Sequence, residues 1–292
     1  MQSKLPFKPL ITKTTLNIWT WNINCILNKI KLVNDLLLKH DIDILLITET
    51  KIQEENISFK NYTCLWNNNQ LDNYHGIVFI YKSHFNISVL NNILPFNSIF
   101  DISPSRNEDI IYQYLSYIDN DILECHYLEG RILVLKLEIN DKLIILVGTY
   151  VPNSGVNKNH PLKRLAYRTL SWDKDLYHYL TLLNHEYKNV IWLGDLNVVI
   201  HCHDTHDIKS NIAGTTMEER SNIKAFMVDW IDTWDIKNKI KNCVLRSTWV
   251  YKPLRLDYVI CSKNLKNNII SSLIDQTFFG SDHYPIGTQF CI

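Results

Sequence analysis

Apolar residues along this chain fall into short runs separated by polar strings, and the period of the runs changes along its length. Residues 16–23 form a short β-prone run, after which Ile26, Ile30, Val33 and Leu37 recur at the spacing of one helix face. A strand followed by a helix is predicted. The run DILLI at 43–47 is continuously apolar and of strand length, and it ends in the polar string Thr48, Glu49, Thr50 and Lys51. Further strands are predicted at 75–81, 131–138, 142–150 and 189–193, with alternation clearest in ILVLKLEI. A helical pattern between 163 and 183 carries Leu165, Leu176, Leu180 and Leu183. Another helix is predicted from Met217, because Thr216 and Glu219 stand at the spacing of a capping box. The carboxyl third returns to strands at 247–251, 254–262 and 286–292. Strands with interspersed helices predict an α/β fold, a four-layer α/β/β/α sandwich of two face-to-face sheets with helices outside.

Residues 90–127 mix apolar groups with Pro95, Pro104 and an acid-rich run, and are read as an insertion or elaborated loop. Residues 1–14 read as a short flexible lead, leaving 15–292 as a single domain of 46% hydrophobic composition over the whole chain, ample for one full core. Thirty Lys and Arg balance thirty Asp and Glu, so any nucleic-acid binding must come from a local patch. Seven cysteines are scattered with no CxxC pair, which favours free thiols in an intracellular, reducing compartment. No segment approaches the roughly 20 apolar residues of a membrane span, so no membrane partner is expected.

Polar strings follow directly on the apolar strands: WNIN at 21–24, ETK at 49–51, YVPNSG at 150–155, GDLN at 194–197, RLDY at 255–258 and GSDHYP at 280–285. Strand ends are where a rigid scaffold presents side chains. Cutting a phosphodiester requires a hard cation, a group to activate water and help for the leaving oxygen. Glu49, Asp195, Asp257 and Asp282 form a pool of hard oxygen ligands, and His283 beside Asp282 offers a proton or a phosphate contact that Asp257 would orient.

Together with the longer strings LLITETK, YHGIVFIYK, EGRILVLKLE, RLAYR, AGTTMEER and RLDYVICS, these resemble the endonuclease/exonuclease/phosphatase superfamily over residues 16–292. Within it they are similar to the exonuclease III group of abasic-site endonucleases. The resemblance implies a deoxyribonuclease-I-like sandwich and a Mg2+-dependent nuclease, with Mn2+ as substitute. It would act as a monomer on double-stranded DNA, cutting 5′ to an abasic site, with 3′–5′ exonuclease or 3′-phosphodiesterase activity alongside. It further implies Glu49 as principal metal ligand with Asn24 and Asp282, Asp195 as the water-activating group and Asn197 as its partner. Asp257 would hold His283 against the phosphate. Tyr150 is implied as catalytic, and Asn22, Lys51, Asn153, Arg168 and Trp249 as substrate contacts. A nicking endonuclease without abasic selectivity and a phosphatase or phospholipid diesterase are the competing readings.

One departure bears on specificity. Where the family builds an apolar pocket for the base-less sugar, this chain has Thr248 next to Trp249, and Leu254 before Arg255. A pocket that is smaller, built differently or formed by Trp249 alone is expected. Trp66 and Trp249 are candidates for stacking on DNA, and Lys51, Lys163, Arg164, Arg168, Lys209 and Arg220 for a phosphate track. The cluster HCHDTH, with His201, Cys202, His203 and His206, has the donors of a soft-metal site but is read as a polar loop.

Overall fold

The computed structural model describes residues 14–53, 56–68, 75–90, 130–155, 159–206, 208–209, 211–238 and 243–292. The expected lead at 1–14, apart from Thr14, and nearly all of the expected insertion at 90–127 lie outside the described residues. Twelve strands are described: β1 (Thr15–Asn22), β2 (Ile44–Thr48), β3 (Tyr62–Asn67), β4 (Ile77–Lys82), β5 (Asn86–Val89), β6 (Ile132–Ile139), β7 (Lys142–Tyr150), β8 (Val190–Asp195), β9 (Trp230–Asp232), β10 (Asp257–Ser262), β11 (Ile269–Ile274) and β12 (Ile286–Cys291). They form two six-stranded sheets, in the orders β11-β12-β1-β2-β4-β3 and β5-β6-β7-β8-β10-β9. Each sheet holds one parallel pair, β1 with β2 and β7 with β8, among antiparallel neighbours. Among the described residues the α-helices are α1 (Ile30–Lys39), α2 (Asp173–Tyr187), α3 (Met217–Phe226) and α4 (Thr233–Lys237).

The central strands read as unbroken apolar runs because both of their faces are covered. In β1, Leu16 and Ile18 enter the core between the sheets, while Trp19 and Trp21 pack outward with Val33, Leu36 and Leu37 of α1. In β7, Ile144 and Leu146 face the inter-sheet core, and Ile145 and Val147 meet Leu176, Leu180 and Leu183 of α2. Four layers follow, as the patterning predicts. The Thr216–Glu219 capping box forms: Thr216 Oγ1 accepts from Glu219 N at 3.3 Å, and Glu219 Oε2 accepts from Thr216 N at 3.2 Å.

The structure departs from the pattern in three places. The helical stretch begins with a π-type turn at Tyr167–Trp172 and continues to Tyr187 as α2. Residues 247–251 form no strand and make a single β-bridge, from Trp249 to His283. Strands β3, β5, β9 and β11 carry no clear period: β3 is half-buried at every position, and β11 has serines at its centre.

Beside β10 a buried ionic network joins three connections. Asp204 accepts from Arg246 Nε at 2.6 Å and from Arg255 Nη2 at 2.9 Å, while Arg255 also donates to both carboxylate oxygens of Asp232, the N-cap of α4. Both guanidiniums lie over the Trp234 ring, and Asp204, Arg246 and Arg255 are all buried. Arg246 Nη2 also reaches Asp235 Oδ1 at 2.5 Å, so each guanidinium holds two carboxylates, and removing Arg255 takes from the buried Asp232 the guanidinium that compensates it, a loss that typically costs 3–5 kcal/mol. Arg255→Ala should therefore lower unfolding stability by about 3–5 kcal/mol, read from the urea midpoint. A loss below ~1 kcal/mol would mean that the network is solvated.

Candidate active site

The inward-facing rows of the strands turn from apolar to polar at one end of the sandwich. Alternation carries β1 from Leu16 and Ile18 to Asn22, β7 from Ile144 and Leu146 to Tyr150, and β8 from Ile191 and Leu193 to Asp195. Strand β10 runs the other way, with Asp257 directly opposite Asp195, so the row of Cys261 and Val259 ends at Asp257. Strand β12 is antiparallel to β1, which brings Asp282 and His283, just before it, to the same end. Glu49 follows β2, the parallel neighbour of β1. Polar strings far apart in sequence thus converge.

One carboxamide joins them. Asn22 Nδ2 donates to Glu49 Oε1 and to Asp195 Oδ2, both at 2.9 Å, and Tyr150 Oη donates to the same Glu49 oxygen at 2.7 Å. Asp195 also accepts from the Asn197 backbone N–H at 2.9 Å and from Asn197 Nδ2 at 3.2 Å, and Asn153 Nδ2 donates to Asn197 Oδ1 at 3.0 Å. His283 Nδ1 lies 2.7 Å from Asp257 Oδ2. Burial, and then the neighbouring Asp257 charge, push the Asp195 carboxyl up to about 7, the range of a general base. Burial opposes charge on His283, but Asp257 outweighs it and raises the imidazole to about 10, so the ring is cationic at neutral pH. Glu49 is held below its ordinary value: burial works against the carboxylate, but bonds from Asn22, Lys51 and Tyr150 prevail. Burial and the Glu49 charge keep the Tyr150 phenol neutral.

The backbone here is bent in ways side chains seldom tolerate. Asn24, Cys25, Glu49, Lys51 and Asn197 all have positive φ, between 48° and 76°, a conformation that costs of order 1–3 kcal/mol each and persists only where surroundings enforce it. Cys25 N donates to Glu49 O at 2.8 Å and Ile26 N to Thr50 O at 3.1 Å, while Thr50 N and Lys51 N bond Gly76 O and His75 O on the other side. The Lys29 ammonium grips the carbonyls of Ile23 and Asn24, and Ser281 Oγ donates to Asn22 O at 2.7 Å. Gly194, at φ +139°, lets β8 pass so close to β7 that a Cβ would lie 1.9 Å from Thr149 O. Asp195 is aimed from that point.

Glu49, Asn24 and Asp282 fit a hard cation. Lys51 Nζ sits 2.8 Å from Glu49 Oε2 and 2.6 Å from Asn24 Oδ1, so a positive charge already stands among these oxygens, and Asn24 Nδ2 bonds Asp282 Oδ1 at 3.2 Å. Ligand atoms of Asp195, Asp257 and His283 also lie within 4.8 Å of one another. There, however, the His283 nitrogen is engaged with Asp257, which suits a proton-handling group better than a cage.

A cleft of about 810 Å³ opens over the site, lined by Glu49, Tyr150, Asn153, Asp195, Asn197, Asp282 and His283. Its apolar side is formed by Trp249 together with Leu254, Leu256, Ile212 and Ala213, so the alternative of Trp249 alone gives way to a broader aliphatic surface. Thr248 has a different part: buried, its Oγ1 accepts from Leu256 N at 2.9 Å and Asp257 N at 3.0 Å.

Arg168 corrects the sequence reading. Its guanidinium is buried and donates to Asp173 Oδ1 at 2.7 Å, Pro152 O at 2.8 Å and Leu196 O at 3.0 Å. It therefore cannot bind substrate and instead ties the loop of Asn153 to that of Asn197. Arg220 is likewise held against Val199 O and Cys202 Sγ, whereas Arg164 lines the cleft. Lys29, His75, Arg131 and Ser281 were not picked out by sequence. Arg131 is buried beneath Tyr150, 4.9 Å from its ring, and Arg131 Nη2 lies 2.7 Å from His75 Nε2. Burial and Arg131 drive the His75 pKa down to about 2, so His75 is neutral and accepts this bond. The GR pair that opens β6 was the one signal for Arg131.

Comparison with known proteins agrees with this geometry. The model of the endonuclease/exonuclease/phosphatase family matches residues 19–283. A DNA-(apurinic or apyrimidinic site) endonuclease of Dictyostelium discoideum is 30% identical over 297 residues, covering 96% of this chain and 72% of its own. An exodeoxyribonuclease of Bacillus subtilis is 26% identical over 287 residues, covering 91% and 96%. The AP endonuclease LMAP of Leishmania major superposes with a TM-score of 0.75 at 21% identity, covering 95% of this chain and 88% of that one. With its polar strand ends gathered into one cleft, the chain belongs to the endonuclease/exonuclease/phosphatase family, in the exonuclease III-type group of abasic-site endonucleases.

Proposed function

We propose that this protein is a DNA repair nuclease that hydrolyses the phosphodiester 5′ to an abasic site in double-stranded DNA, using Mg2+ with Mn2+ as substitute. The observation that carries this reading is the juxtaposition, across one cleft, of a near-neutral carboxyl at Asp195, an imidazolium at His283 and an oxygen-rich cation site at Glu49, Asn24 and Asp282. The names of its relatives support DNA as substrate, and the exodeoxyribonuclease among them supports 3′–5′ trimming from the same site. The apolar wall of Trp249, Leu254 and Leu256 supports reception of a sugar that has lost its base. The described free thiols Cys25, Cys64, Cys202, Cys261 and Cys291 support a reducing compartment.

In the reaction, Asp195 takes a proton from the attacking water while Asn197 fixes the carboxylate and the approach of the phosphate. The water oxygen bonds to phosphorus and the P–O3′ bond breaks, leaving a 3′-hydroxyl and a 5′-phosphate on the abasic side. His283, charged because of Asp257, stabilises a non-bridging oxygen. Held by Glu49, Asn24 and Asp282, the metal would neutralise charge on the phosphate. Tyr150 contributes a neutral phenol donor, steadied by Arg131 beneath its ring.

The deciding experiment compares a duplex holding one abasic analogue with the same duplex undamaged, in Mg2+ and in chelator. The abasic strand should be cut and chelator should stop the cutting, and Trp249→Ala should erode the preference by about tenfold. Equal cleavage of both duplexes would overturn abasic selectivity while leaving a nicking endonuclease. Asp195→Asn should reduce kcat by roughly 10²–10⁴-fold with DNA binding retained in a gel-shift assay, and near-normal turnover would remove Asp195 from its role. With Asp195 near 7 and His283 near 10, kcat/KM should rise with pH through the first value and fall through the second. Asp257→Asn removes the charge that raises His283, so the alkaline limb should move to lower pH; an unmoved limb would contradict the assignment.

A further inference from the structure

We infer that the protein holds a second metal site, chemically distinct from the hydrolytic one, in which His201, His203 and Asp235 bind a zinc-class dication. The two histidines flank Cys202 on a short 3-10 turn at Cys202–Asp204, downstream of β8. Their rings are parallel within 7°, with centroids 5.0 Å apart. Asp235 comes from α4, and one ligand atom from each of the three residues lies within 4.8 Å of the other two. At present Asp235 Oδ1 accepts from Arg246 Nη2 at 2.5 Å and lies 3.0 Å from His203 Nε2, and His201 Nε2 lies 3.2 Å from Asp232 Oδ2, so an ion would share Asp235 with the guanidinium. A surface cavity of about 430 Å³ opens beside the turn, lined by His201, Cys202 and His203 with Met227 and Val228.

Two imidazoles and a carboxylate form a borderline donor set that suits Zn2+, with water completing the tetrahedron. Mg2+ prefers oxygen and would not compete well for this set, whereas the oxygen-rich cleft of Glu49, Asn24 and Asp282 suits it. The two sites therefore sort metals by hardness. Asp232 supplies what liganding histidines usually have, a carboxylate against the imidazole that fixes its orientation. It is itself fixed by Arg255. His203 and Asp235 are partly solvent-accessible, so an ion can enter and their side chains can rotate from the present spacing to bonds of about 2.0–2.2 Å. Occupancy would pin the turn after GDLN to α4, joining the connection that leaves Asp195 and Asn197 to the ionic network around Arg246 and Arg255.

The test uses the full chain and Zn2+ alone as probe, with excess Mg2+ present to fill the hydrolytic site. Equilibrium dialysis should give one zinc per chain, and His203→Asn and His201→Asn should each weaken uptake by about tenfold or more. Glu49→Gln should leave it unchanged. Co2+ in place of Zn2+ should show the visible absorption of a tetrahedral nitrogen-containing site in the wild type and lose it in His203→Asn. His203→Asn should match the wild type in circular dichroism and zinc-free melting, so that lost binding is not lost folding. No zinc uptake in excess Mg2+ would overturn the proposal, as would equal uptake by wild type and His203→Asn, or loss in Glu49→Gln alone.

Discussion

A single amide nitrogen spans the sandwich. Asn22 Nδ2 has two hydrogens, one donated to Glu49 beyond the end of a strand in one sheet and the other to Asp195 at the end of a strand in the opposite sheet. Two carboxylates in a buried setting would repel one another and resist ionisation. The shared amide gives each a neutral donor and fixes their separation without adding charge. Tyr150 repeats the device, reaching from the second sheet to Glu49. The site is thus the inter-sheet core continued by one more row, and its rigidity is that of the two sheets.

That continuation creates a local problem, because strands must end where catalytic groups must be aimed. The left-handed backbone at Asn24, Glu49, Lys51 and Asn197 turns the chain sharply enough for side chains to point back at the row they have just left. A glycine would adopt these angles freely but would carry no carboxylate, amide or ammonium. The chain keeps the functional side chain and places the restraint elsewhere: in backbone bonds from both neighbouring loops, in the Lys29 ammonium on Ile23 O and Asn24 O, and at Gly194, where backbone contact leaves no room for a Cβ.

These features differ in how far they can be read from sequence. The polar strings were legible because each adjoins an apolar run of strand length, with Asn22, Glu49, Tyr150 and Asp195 at or after the ends of their strands and Asp257 and His283 at or before the starts of theirs. Four layers were legible because both periods are present. Arg168 was misread because a charge in a helical stretch looks the same whether it faces solvent or three buried acceptors. Lys29 resembles any basic residue at the start of a helix, and only the loop folded over it reveals its role. Strands β3 and β5 lie at sheet edges and β11 is another edge strand, so one-sided or weak burial leaves no period to detect, while β9 is three residues long.

The segment around Thr248 joins the apolar wall of the cleft to its polar end. Its hydroxyl receives the N–H groups of Leu256 and Asp257, setting the start of β10 and hence the carboxylate that charges His283. Its carbonyl receives Tyr284 N at 2.7 Å, and Val250 N donates to Asp282 O at 2.9 Å, so the same three residues bracket the SDH string. Trp249, between them, forms part of the apolar wall and bridges to His283. A bulkier residue at 248 would thus do more than reshape the wall: it would remove the acceptor that two backbone donors depend on and displace Asp257. The departure at Thr248 is thus a structural one, and the apolar lining of the cleft comes from Trp249, Leu254 and Leu256 instead. Those three side chains can vary without disturbing the start of β10, while Thr248 is held by the two backbone donors it receives.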